Sequence, residues 1–296
     1  MIEFNQPPLN GPRIESQSAS LLTDMLAAVE NIRGQKPLVL NLTNVVTMDF
    51  MANALLAVGA APLMSVASEE IAELVAISSA VNINIGTLDE AFIARAMLAA
   101  STASNSGRPI PLVLDPVGAG ASHLRRDAAL LLLPHVNIVR GNASEILALG
   151  QGQHGREDLG KQMDRPSLGV ESTAEVGDAL AVANYLANSD RTVVVSGEVD
   201  IITDGHDVGQ CFFGTPLMKS ITGMGCVLTA VIAAFRAVID DNARAANLAV
   251  NFFGLVGQVA ASHAHTPAAF RSQFIDYLYQ PDWQAMEQII KAQSAG

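Results

Sequence analysis

The chain has 296 residues, half of them apolar and only 16% charged, with 17 basic against 29 acidic side chains and a net charge of −12. That balance speaks against a nucleic-acid binder, which needs a basic surface to displace counterions from phosphates, but it leaves room for a nucleotide held by a few cations and backbone amides. The apolar content excludes a disordered chain, and two cysteines, Cys211 and Cys226, are too few for a disulfide framework or a cysteine-rich zinc site.

Residues 1–15 read as a tail, with Pro7, Pro8 and the turn-like Asn10-Gly11, and lack the basic and apolar regions of a secretory signal. Residues 16–296 read as a single domain. Helical spacing runs from Ser16 to Arg33 and stops at Gly34. Short apolar runs follow at Pro37 to Leu42, Ala80 to Ile85, Ile110 to Leu114, Val136 to Val139 and Thr192 to Ser196, which suits strands buried on both faces. Helix-like stretches separate them: Met48 to Gly59, Glu69 to Ser79, Asp89 to Ala103, Leu124 to Leu132, Ala143 to Leu149 and Glu175 to Asn188. Such alternation predicts βαβ units, and hence an α/β domain with a mainly parallel sheet between two layers of helices. Val199 to Thr203 and Val208 to Phe213, joined through Asp204-Gly205-His206-Asp207, read as an edge hairpin. From Gly225 onward the pattern is helical. No run approaches the roughly 18 apolar residues of a membrane span, so the expectation is a cytoplasmic protein with neither membrane nor nucleic acid as partner.

The polar loop Gln151 to Leu168 carries matches to two phosphate-binding patterns. Gly150, Gly152 and Gly155 have the G-x-G-x-x-G spacing, and Gly155 to Lys161 has G-x-x-x-x-G-K. Both patterns work only between a buried strand and a helix start. Here a helix precedes them, and Gln162 replaces the Ser/Thr that would hold magnesium, so they read as a solvated loop. Gly223-Met224-Gly225-Cys226 differs, because its glycines open an amphipathic helix whose first amides and positive dipole end favour an anion. Cys226 in that first turn is either a thiol whose pKa the same field lowers or a small core residue. Asp115, at the end of one apolar run, stands where open α/β sheets bind ligands. Arg140 and Glu145, at the end of the next, suit a phosphate and a hydrated magnesium ion respectively, or equally an ion pair and a helix cap. The histidines show no zinc-binding spacing, and no nucleophile-elbow pattern occurs.

Five blocks, in order, resemble the hydroxyethylthiazole kinases of the ribokinase-like superfamily. They are Leu42-Thr43-Asn44-Val45-Val46-Thr47 with its continuation to Met64; Asn84-Ile85-Gly86-Thr87-Leu88; Asp115-Pro116-Val117-Gly118-Ala119-Gly120-Ala121; Arg140-Gly141-Asn142-Ala143-Ser144-Glu145-Ile146; and Thr222 to Thr229. The resemblance implies a three-layer αβα sandwich with no separate lid, transferring the ATP γ-phosphate to the hydroxyl of 4-methyl-5-(2-hydroxyethyl)thiazole in thiamine synthesis or salvage. It implies that Asn44, Val46, Met64 and Gly223 line the thiazole pocket and that Arg140 and Ser196 contact ATP. Asp115 and Glu145 would organise Mg2+ at the nucleotide, while Gly223, Gly225 and Cys226 serve the transfer itself. It further implies a homotrimer with shared sites. Met224, Asp49 and Asn41 depart from the family's usual residues, and Met224 is expected to narrow the phosphate path. The alternatives are a ribokinase-like kinase of another small alcohol, an ADP-dependent dehydratase of hydrated NAD(P)H, which would keep an acid where Cys226 stands, and a non-catalytic binding protein.

Overall fold

The apolar runs pair into one eight-stranded sheet in a computed structural model that describes residues 14–153 and 173–294. The first half comprises α1 (Ile14–Gln35), β1 (Leu38–Leu42), α2 (Met48–Val58), β2 (Ala61–Met64), α3 (Ile71–Ile77), β3 (Ala80–Asn84), α4 (Glu90–Ser104), β4 (Leu112–Asp115), α5 (His123–Leu132), β5 (Ile138–Asn142) and α6 (Ala143–Gln153). The second half adds α7 (Thr173–Leu186), β6 (Thr192–Ser196), β7 (Asp200–Thr203), β8 (Val208–Cys211), α8 (Met224–Arg236), α9 (Asn242–His263), α10 (Pro267–Tyr279) and α11 (Trp283–Ser294). The sheet order is β2-β1-β3-β4-β5-β6-β7-β8. Strands β2 through β6 in that order run parallel, and β7 and β8 form the antiparallel edge hairpin.

Successive strand residues point to opposite faces, and each face has its own apolar cluster. Val39, Val113, Ile138 and Val194 pack with buried residues of α1, α2 and α8 to α11. Leu40, Leu42, Leu112, Leu114, Val139 and Val193 pack with those of α3 to α7. Val113 and Leu114, adjacent in β4, thus sit in different cores. Helix α8 lies across the middle of the sheet, against β1, β3 and β4. It starts beside their carboxyl ends because its N-cap, Gly223, turns the chain there with φ +91°.

Four differences from the sequence reading have physical causes. Strand β2 was not expected, because Pro62 interrupts its apolar run; it occupies the sheet edge, where a proline lacking an N–H is tolerated. Helix α1 begins at Ile14 and so takes in two residues assigned to the tail, the rest of which lies outside the described residues. Helix α6 continues to Gln153, which puts Gly150 and Gly152 inside a helix rather than in a phosphate-binding turn. Gly150 packs against Val182 of α7; the remainder of the Gln151–Leu168 loop, with Gly155 and Lys161, lies outside the described residues. Helix α9 is long and apolar enough to cross a membrane by length and composition, but its apolar stretch is 78% buried as the spine of one core.

Candidate active site

Strand parity decides which polar side chains meet. Asn84, Asp115, Arg140 and Ser196 lie on β3, β4, β5 and β6, each at or near the carboxyl end and an even number of residues from an α8-facing position. All four therefore turn toward the start of α8, where ligand groups collect in open α/β sheets.

Asp115 is the centre. It is fully buried, and its Oδ2 accepts from Asn84 Nδ2 at 2.8 Å and Thr229 Oγ1 at 2.9 Å, with Arg140 Nη1 at 3.9 Å. Oδ1 is buried without a hydrogen-bond partner. Burial pushes the carboxyl up from 3.8 to about 7; Arg140 opposes that rise and Glu145 adds to it. Arg140 is fixed by donating from Nε to Ser196 Oγ at 2.8 Å.

Each glycine of the pair has its own reason. A Cβ on Gly225 would fall on the Arg140 guanidinium, 2.9 Å from Nη2 and 3.0 Å from Cζ. Gly223 combines its left-handed φ with a close approach to Thr47, whose Cβ would lie 2.9 Å from the new atom. The first amides of α8 lack intrahelical partners by helix geometry and no side chain caps them at Gly223. With Arg140 beside them, they form a place for an anion. Met224 does not narrow it: its side chain is buried in the apolar cluster.

Glu145 acts as a helix cap. Its Oε2 accepts from Asn142 N at 2.8 Å while Asn142 Oδ1 accepts from Glu145 N at 2.9 Å, which is a capping box at the start of α6. Its Oε1 accepts from Gly118 N at 2.8 Å, tying the β4–α5 loop to that helix. A carboxylate offers about four lone-pair sites, so capacity remains beside the unpartnered Oδ1 of Asp115. Among the described residues no group of three or more His, Cys, Asp or Glu gathers as a metal cage. Asp115 and Glu145 are the groups here that could hold a divalent cation, and a pair of carboxylates suits a hydrated magnesium ion shared with phosphates.

Of the two readings of Cys226, its packing against the apolar cluster favours the second. Its thiol pKa is raised, first by burial and then by the Asp115 charge. Burial is the largest cause, so the thiol is not activated by lowering of its pKa. Asn44 Nδ2 donates to Cys226 Sγ at 3.4 Å and to Asn84 Oδ1 at 2.9 Å, while its Oδ1 accepts from Thr47 N and Thr47 Oγ1, both at 3.0 Å. Asn44, Gly223, Gly225, Cys226, Asp115, Arg140, Ser196 and Glu145 thus share one neighbourhood. Val46 and Met64 stand apart: Val46 is 67% exposed, and Met64 is half-buried at the carboxyl end of edge strand β2, paired with Asn41. Asn84 and Thr229 had been given no role. Asn84 is a polar residue closing an apolar run, and Thr229 stands four residues after Gly225, one turn along the same helix face.

A cavity of about 410 Å³ opens at the opposite, amino end of the strands, lined among others by Pro111, His135, Asn137, Arg191 and Arg236. Arg191 gives its guanidinium to the carbonyls of Leu133, Val136 and Leu186, so it fastens chain ends.

A mainly parallel sheet with helices on both faces and a Gly-opened helix beside the strands' carboxyl ends is an arrangement shared with ribokinase-like proteins. A ribokinase-like superfamily protein from Enterococcus faecalis shares the fold with a TM-score of 0.54 at 14% identity, over 92% of this chain and 90% of its own. Within that class, the profile of the hydroxyethylthiazole kinase family matches residues 29–283. A hydroxyethylthiazole kinase from Chlamydia caviae is 43% identical over 90% of this chain and 98% of its own length. The structure of a hydroxyethylthiazole kinase protein from Pyrococcus horikoshii OT3 superposes with a TM-score of 0.73 at 36% identity, over 87% of this chain and 93% of that one. The chain belongs to the hydroxyethylthiazole kinase family, whose members are phosphotransferases.

Proposed function

We propose that this chain transfers the γ-phosphoryl group of ATP to the primary hydroxyl of 4-methyl-5-(2-hydroxyethyl)thiazole, in the synthesis or salvage of thiamine. The observation that carries the reading is the convergence of Arg140, Asp115 and the Gly223–Gly225 helix start at the sheet's carboxyl edge, in a chain that matches the family over most of its length. Phosphoryl transfer needs mainly positioning and charge stabilisation, and this cluster offers both. The α8 amides and Arg140 receive the phosphate, and Ser196 holds the Arg140 guanidinium in place. Magnesium carried with ATP would supply positive charge at the phosphates, and Asp115, whose Oδ1 has no protein partner, would hold it together with Glu145, using lone pairs that its backbone donors leave free.

Cys226, held by the Asn44 amide, faces the alcohol and works by positioning. The alcohol's proton leaves late, as expected of a loose transition state in which the nucleophile carries little charge. Asn44 and Gly223 line the acceptor side, and Val46 and Met64, which stand apart within one chain, would complete it across an interface with a neighbouring subunit. The exposed Val45, Val46, Leu56 and Val66 support closure by neighbouring subunits, and a homotrimer with shared acceptor pockets is the assembly we infer, in the cytoplasm. A coupled ADP-release assay across small alcohols, with magnesium omitted as the control, tests the reading. ADP release with hydroxyethylthiazole that requires magnesium is expected; release with a sugar or a pyrimidine but not with the thiazole alcohol would overturn it.

A further inference from the structure

A single directed chain of hydrogen bonds crosses the site. The Thr47 N–H and O–H both donate to Asn44 Oδ1, which turns Nδ2 of Asn44 outward to Cys226 and Asn84. Gly86 N donates to Asn84 Oδ1 at 2.9 Å, the same oxygen that accepts from Asn44. Two donors on that oxygen leave the Asn84 amide only one orientation, with Nδ2 aimed at Asp115 Oδ2. Backbone N–H groups thus fix both amides at the donor end of the chain, and apart from the branch to Cys226 each bond leads on from Thr47 toward the carboxylate. The order follows β1, β3 and β4 across the carboxyl edge, and Asn84 is the link between the two sides.

We infer that Asn84 is a positioning residue: its amide locks the Asp115 carboxylate with Oδ1 free for the phosphate-bearing ligand and ties that setting to Asn44 and Cys226 on the acceptor side. The inference rests on the function proposed above. Two features favour positioning over mere packing. Asn84 Nδ2 donates to Oδ2, toward which the Thr229 hydroxyl also turns at 2.9 Å while lying 3.2 Å from the Gly225 carbonyl, and Oδ1 is left without a partner. Further, β3 carries a matched residue, Asn82, equally buried and on the same face, which bonds to Asn41 at 3.0 Å and touches neither Asp115 nor Asn44.

That pair supplies the experiment. Asn84→Ala and Asn82→Ala are compared in melting temperature, in steady-state kinetics and in the rise of melting temperature caused by ADP with magnesium. Asn84→Ala is expected to lower kcat by about 10²-fold, the scale of a misplaced reacting group. Its KM for the alcohol should stay within about threefold of wild type, because the loss lies after binding. Its ADP-magnesium stabilisation should shrink, and should shrink no further when Asn84→Ala is added to Asp115→Asn, since the residue acts through Asp115. Asn82→Ala should melt earlier yet keep its kcat and its ADP-magnesium response. If the alanine variant does not fold, Asn84→Ser serves, being too short to reach Asp115. Equal losses of kcat in the two alanine variants, or a wild-type kcat in Asn84→Ala, would overturn the inference, as would additive effects with Asp115→Asn. Should wild type leave hydroxyethylthiazole unphosphorylated, the functional reading fails separately, and the ADP-magnesium response still decides the role of Asn84.

Discussion

Gly225→Ala separates the anion site from the fold, because the two terms act in opposite directions. Gly225 is in the first turn of α8 and needs no left-handed backbone, so alanine there gains helix propensity of up to about 1 kcal/mol. Against that, the new methyl falls 2.9 Å from Arg140 Nη2 and 3.0 Å from Cζ. Backbone cannot yield at a helix start packed on the sheet, so the guanidinium must move. Moving it breaks the 2.8 Å bond to Ser196 and the 3.9 Å approach to Asp115. At an effective dielectric of about 20, a pair at that separation is worth on the order of 4 kcal/mol before solvation costs. Removing one preorganised donor from a developing charge costs roughly 10²–10³ in kcat, and that is the expected loss. Melting temperature should fall modestly, because the lost Ser196 bond and ion pair outweigh at most about 1 kcal/mol of helix propensity. The assay is kcat by coupled ADP release, with thermal melting of the same preparation. A Gly225→Ala protein within about threefold of wild-type kcat would refute the placement of Arg140 at the phosphate, since it would lack the loss expected of a displaced donor. Gly223→Ala should melt earlier still, because its φ of +91° strains any side chain and Thr47 blocks the space.

Asp115→Asn should melt higher than wild type at pH 8 without nucleotide or magnesium. The folded carboxyl titrates at about 7 against an ordinary 3.8, so between those values the folded chain keeps a proton that the unfolded chain has lost, and stability falls as pH rises through that window. The shift corresponds to roughly 4 kcal/mol at most; the advantage of the variant should vanish near pH 4, and an equal advantage at both pH values would contradict the burial argument. Cys226 should react with iodoacetamide slowly through pH 8 and faster only above the ordinary thiol range, and Cys226→Ala should lose no more than about 10²-fold in kcat, the low end for a proton-transfer group; rapid alkylation at pH 7 would restore a thiolate. Glu145→Gln should destabilise the magnesium-free protein by about 1–2 kcal/mol in urea unfolding, because one of two backbone donors meets an amide instead of an oxygen; unchanged stability without magnesium would refute the cap. Co-refolding inactive Met64→Asp with inactive Gly225→Val should restore part of the activity if acceptor pockets are shared between chains, and a fully active monomer would exclude sharing.

Most of the sheet was legible because its strands are short, apolar and regularly spaced by amphipathic helices, down to the hairpin around Gly205. Strand β2 was not, since Pro62 removes a donor that only an edge position can spare. At the site, Asp115, Arg140 and the Gly223–Gly225 pair could be located because each stands where an apolar run ends or a helix begins. What could not be read was how their demands compete. The Cys226 thiol pKa is raised chiefly by burial, which comes from the elements packed around it and not from its own stretch of sequence. Likewise Glu145 reads as cap or ligand from spacing alone, and the positions of Asn142 and Gly118 assign its oxygens to the backbone. The clash at Gly225 is with a residue 85 positions earlier in the chain, which no local pattern reveals.

The most direct measurement of the central claim is the identity of the product. Purified protein, ATP, magnesium and hydroxyethylthiazole are incubated together, and the alcohol is recovered and analysed by mass spectrometry and phosphorus NMR. The account predicts one phosphoryl group esterified to the hydroxyethyl oxygen, formed in step with ADP, and none with Gly225→Val. ADP accompanied only by inorganic phosphate, with the alcohol recovered unchanged, would contradict it.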